Sequence, residues 1–197
     1  MRHWPLFSSF IVLGLLAACA QPSMPEDHFY RLTIKGPERA TTPLPAGTIQ
    51  VERFVADGLA ANRPIAFSEA GRPHVLQTYH YHFWIEPPTA LLQTTLADYL
   101  RRSGAERVVT PELRVEPDFV VSGRIRGFEQ VRGSPGFARA ALELAVTDRK
   151  GGRLLLLKTY AAEPRTSGES VAEAAAQMSA AIEQIYAQFV RDLATAR

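Results

Sequence analysis

The sequence predicts an α+β fold: a single mixed or antiparallel sheet with two main helices packed on it. Three stretches predict it. Phe119 to Ala161 holds three long β-prone runs separated by glycine-rich turns. An aromatic run ending at Trp84 passes straight into Glu86-Pro87-Pro88, a helix start. From Ser170 onward, apolar residues recur at steps of three and four.

Taken in order, Phe29 to Ile34 alternates and reads as a first strand with Tyr30, Leu32 and Ile34 on one face. Gly36 to Gly47 contains Pro37, Pro43 and Pro45 and reads as a loop. Thr48 to Phe54 alternates again as a second strand. A loop with a possible helical turn follows over 57–64, then a short strand over 64–69.

The run 75–84 is aromatic and β-prone. Regular alternation would put Tyr79, Tyr81 and Phe83 on one face and Thr78, His80 and His82 on the other. Prolines are tolerated in a first helical turn, and Glu86 beside them suits the helix dipole. Leu92, Leu96, Tyr99 and Leu100 mark the apolar stripe of this helix, and Gly104 is placed to stop it.

Glu106 to Val109 is a short strand. Phe119 to Val131 is a long one, with Gly123 and Gly127 allowing a bend or bulge. Ala138 to Asp148 returns with Ala140, Leu142, Leu144 and Val146 inward, and Leu154 to Ala161 completes a meander of hairpins. Ser170-Val171-Ala172-Glu173 fits a capping box. The helix after it carries Val171, Ala175, Met178, Ile182, Ile185, Phe189 and Leu193 as its stripe, fit to pack on a sheet or to pair with another helix.

The chain has 197 residues, 46% of them hydrophobic, and a formal net charge of +2. That supports one packed domain. Lys and Arg are scattered with no basic stripe, which argues against a nucleic-acid partner. Residues 1–18 read as a signal peptide, with Arg2 and His3 before an apolar run of about a dozen residues, too short to span a bilayer. Leu16-Ala17-Ala18-Cys19 resembles the bacterial lipobox, in which the cysteine carries a diacylglyceryl thioether. Cys19 is the single cysteine, so no internal disulfide can form. Residues 19–27 are then the lipidated cysteine and its tether, and 28–197 the domain. Several fatty chains on one residue hold firmly where one would not. Ala20, rather than aspartate, follows the cysteine, which by that resemblance favours the periplasmic side of the outer membrane.

Signals for chemistry are sparse. His74, His80 and His82 lack carboxylates or a cysteine at a spacing that completes a metal site. No hydrolase elbow, H-E-x-x-H, C-x-x-C or Walker A sequence occurs. Ser134 sits in a turn, and Glu116 and Asp118 flank Pro117 as turn acids. The expectation is therefore a non-enzyme with no cofactor beyond lipid on Cys19. Most of the aromatics at 79–84, 128 and 137 are expected to fill the core; the alternative is contact with a lipid or a partner, for which Trp84, Phe128 and Phe137 are the candidates.

The order of these features carries a resemblance: a lipobox, Tyr30-Arg31-Leu32 in the first strand, then Trp84-Ile85-Glu86-Pro87-Pro88 leading into the helix of Leu91, Leu92 and Leu96. The chain resembles the ABC-type transport auxiliary lipoproteins, whose best-known branch is the paraquat-inducible lipoprotein C type. The resemblance implies a periplasmic partner of a permease, an ATPase and MCE-domain proteins that move lipids or other hydrophobic molecules, with a homo-oligomer possible. A lipid-binding carrier, or an assembly or plug lipoprotein of an outer-membrane β-barrel, is the alternative.

Overall fold

A computed structural model describes residues 25–37 and 43–196. The signal peptide and lipobox lie outside these residues. Nine strands and two helices follow one another: β1 (His28–Tyr30), β2 (Thr48–Val51), β3 (Val55–Ala56), β4 (Pro64–Glu69), β5 (Arg72–Trp84), α1 (Pro88–Arg102), β6 (Arg107–Val109), β7 (Phe119–Arg132), β8 (Phe137–Asp148), β9 (Arg153–Ala162) and α2 (Val171–Thr195). The class is α+β, with one mixed sheet under both helices.

Strand β7 is the hub. One edge pairs antiparallel with β8 along nearly its whole length, and β8 pairs with β9. Its other edge seats three short strands in tandem, all parallel to it. Ile49–Val51 lies beside Phe119–Val121, Val55–Ala56 beside Arg124–Ile125, and Phe67–Glu69 beside Gln130–Arg132. Beyond this row, β2 pairs with β6, β4 with β5, and β5 with β1.

Alternation assigns the two faces. Ala138, Ala140, Leu142, Leu144 and Val146 of β8 are fully buried under α2, as the pattern predicts. All seven stripe residues of α2 are buried as well. Ser170 Oγ accepts from the Glu173 N–H at 3.2 Å, so the cap forms. The reciprocal half does not, because the Glu173 carboxylate instead accepts from the backbone N–H and hydroxyl of Ser167. The far end of α2 is latched to β9 by Asp192, which accepts from Lys158 Nζ and Tyr160 Oη, each at 2.8 Å. The lysine and tyrosine together hold its carboxyl below the usual carboxylate range.

Helix α1 begins with Pro88 after Pro87, while Glu86 stays just outside it. It ends in a left-handed Gly104 (φ +94°), with the Ala105 N–H reaching back to Leu100 O at 3.1 Å. The two helices meet at Tyr186, whose hydroxyl donates to Leu92 O at 3.0 Å and whose ring stands edge-on to Tyr99.

Three expectations need correction. The first strand stops at Tyr30, although Leu32 and Ile34 are still buried and the Thr33 N–H donates to Ser179 Oγ on α2. The second strand breaks at Val51, because Phe54 swings inward onto Gly123, where an added Cβ would lie 2.3 Å from its ring. Regular alternation along β5 fails too. Its register against β4 shifts between Ala66↔Thr78 and Pro64↔Phe83, and this irregularity brings Tyr79 edge-on to His82, 5.5 Å between centroids.

Candidate interaction surfaces

The aromatic candidates separate once folded. Trp84 is 2% exposed and lies 5.2 Å from Phe128, itself buried. Both belong to the main hydrophobic core, so neither is open to a lipid or partner, and the core reading holds for them. The inward side of β5 at its last residue places Trp84 there, and its N–H donates to Arg63 O at 2.8 Å. Phe137 is half-buried at the start of β8, with the Arg139 guanidinium 5.3 Å above its ring.

The polar candidates have structural partners. Tyr30 Oη lies 2.9 Å from His82 Nδ1, and His82 stacks on His28 at 5.0 Å. Burial first, and the neighbouring His28 second, lower the His82 pKa. Asp118 takes Lys150 Nζ at 2.6 Å and the Thr48 N–H at 2.8 Å, tying the start of β2 to the β8–β9 turn. Those two partners hold its carboxyl low. Among the described residues no three His, Cys, Asp or Glu side chains stand together as a metal site. Among them, too, no helix is long and apolar enough to cross a membrane.

Three open depressions are lined by described residues. They measure 260 Å³ beside Asp57, Leu76 and Arg126, 220 Å³ beside Val55, Arg124 and Leu157, and 290 Å³ between the 133–136 turn and Thr166–Glu169. Each falls below the ~300–1,000 Å³ usual for small-molecule sites.

The sheet face away from the helices carries ion pairs, Arg126–Glu143 at 2.8 Å and Arg139–Glu129 at 3.0 Å, around small residues such as Ala141 and Ala145. Leu154 and Leu157 stand exposed on β9, which pairs on one side with β8. At the opposite end of the strand order, Phe29 and Phe83 stack at 5.7 Å across the β1–β5 pair, with the Arg63 guanidinium 5.4 Å over Phe29. Sequence reading missed this cluster. Pairing of Phe29 with Phe83 was the missing fact, since the two are far apart in the chain.

Comparison with known proteins fixes the relationship. The profile described as "ABC-type transport auxiliary lipoprotein component" matches residues 30–190. The chain belongs to this family. Structures with the same fold include a Xanthomonas campestris protein of the DUF330 family, 21% identical, at a TM-score of 0.74 over 82% of this chain and 91% of that one. A PelC variant from Paraburkholderia phytofirmans, solved as a dodecamer, is 14% identical at a TM-score of 0.51, over 83% and 96%. No curated protein matches the sequence. The match begins at Tyr30 and ends within α2, so the family region coincides with the sheet and its helices.

Proposed function

We propose that this chain is a non-enzymatic periplasmic lipoprotein subunit of an MCE-type ABC system that moves lipids or other hydrophobic molecules. Anchored through Cys19, it docks the inner-membrane conduit at the outer membrane. Membership of the transport auxiliary lipoprotein family over residues 30–190 carries this reading. The physics supports it: each CH₂ of a lipid exposed to the aqueous periplasm costs about 0.8 kcal/mol, so cargo needs a shielded route to the second membrane. A tether at the far end raises the local concentration of the docking partner. A ring of copies would match a symmetric conduit, and the dodecameric PelC relative makes a homo-oligomer part of the proposal.

The test is purification of the full-length protein from gently solubilised membranes, beside a Cys19→Ala control. An MCE-domain protein and its ATPase should come with the wild type and be depleted in the control. Recovery of a β-barrel alone would overturn the docking role in favour of a barrel-assembly lipoprotein. Stoichiometric lipid with no protein partner would favour a carrier.

A further inference from the structure

The β1–β5 edge carries an apolar cluster that the core does not need. Phe29 is 55% exposed, Tyr81 44% and Ile85 41%. Phe83 stacks beneath Phe29 on the side of β5 opposite the buried Trp84, and Tyr81 and Ile85 flank it two residues before and after in the chain. Strand β1 is a sheet edge only three residues long, locked in place by the Ile85 N–H to Tyr30 O at 2.8 Å. The rings are amphipathic or capped by cation: Tyr81 offers a hydroxyl, and Arg63 lies over Phe29. Aromatic rings with a polar end, beside a long basic side chain, are the chemistry of the membrane–water interface.

The chain outside the described residues says what this edge faces. Nine residues lead from Cys19 to His28, where β1 begins. Fully extended they reach about 30 Å, whereas a domain of this length is about 40 Å across. An anchor at Cys19 therefore keeps β1 within reach of the bilayer, while β9, on the far edge of the sheet, need not come as close. Strand β9 lies beyond β7 and β8 on the opposite edge of the sheet, and Leu157 on it is 59% exposed.

We infer that Phe29, Tyr81 and Ile85 form a membrane-contact patch that seats the domain on the lipid surface carrying its own anchor. This rests on lipidation of Cys19 as proposed above. The patch fixes the orientation of the domain, so that the β9 edge stands away from the bilayer for protein contact.

The experiment uses the mature full-length protein in phosphatidylethanolamine–phosphatidylglycerol vesicles containing shallow brominated lipids. Tryptophan is introduced separately as Phe29→Trp, Tyr81→Trp and Leu157→Trp, and the emission of the unsubstituted protein is subtracted. Intact mass establishes the lipid on Cys19. With lipid present, emission at 29 and 81 should shift blue and be quenched, and emission at 157 should not. Equal or absent quenching at all three positions would overturn the patch and leave the anchor standing. A blue shift at 29 that needs no vesicles and resists quenching marks a protein contact and also overturns it. An unmodified Cys19 overturns anchor and patch together.

Discussion

Strands β7 to β9 present two faces built from the same residues in alternation, and the faces behave as different materials. Leu142 and Leu157 illustrate the contrast. Leu142 is fully buried under α2, while Leu157, on the neighbouring strand, is 59% exposed among charged and small side chains. The buried face fixes register, because a one-residue slip would turn Leu142 and Leu144 out and Glu143 in. The open face is constrained mainly by solubility, so it is free to carry surface for partners.

Substitutions test that division, and the largest effect belongs to the buried face. Leu142→Ala should lower unfolding free energy by about 2–5 kcal/mol, whereas Leu157→Ala should stay within about 0.5 kcal/mol. Urea titration of both reads the difference directly, and equal losses would mean that the outer face is covered in the isolated protein. Next is the one place where the inner face is narrowed by a loop. Gly123→Ala forces its methyl into the Phe54 ring and should cost about 1–3 kcal/mol. Adding Phe54→Leu should recover part of that loss, and strict additivity of the two changes would show that the contact is not limiting.

The smallest effect is at the sheet edge. The folded His82 pKa lies below its ordinary value of 6.5, chiefly through burial and secondarily through His28. A folded value below the unfolded one means that the folded protein binds fewer protons. The contribution is therefore intact above about pH 6.5 and is lost as pH falls through the folded value. Unfolding midpoints measured from about pH 7.5 down to 5 should decline more steeply in the wild type than in His82→Gln. Parallel curves would show that the His28–His82 stack is indifferent to charge.

Periodicity made much of this architecture readable. The stripe of α2, the inward set of β8 and the proline start of α1 follow from spacing alone, since each element buries one face along an uninterrupted run. Failures cluster where pairing is set by distant chain. The residues Arg31 to Ile34 alternate as a strand would, yet β1 ends at Tyr30; Leu32 and Ile34 are buried, and the Thr33 N–H donates to Ser179 Oγ on α2. Trp84 and Phe128 stay open between core and contact in the sequence because aromatics serve both, and their burial and 5.2 Å approach assign them to the core. The exposed cluster at Phe29 was invisible for the converse reason: its partner strand lies more than fifty residues away.

The tandem seating of β2, β3 and β4 on a single edge of β7 also sets an order of events. Thr48 and Asp118, joined at the first of these seats, are 70 residues apart in the chain. A polypeptide emerging from its N-terminus can close the β4–β5 hairpin early, but the row has no common neighbour until Arg132 has emerged. Long-range parallel pairing of this kind is slow and leaves strand edges unsatisfied while it waits. The run from Thr48 to Glu69 is thus the part of the newborn chain most in need of an escort.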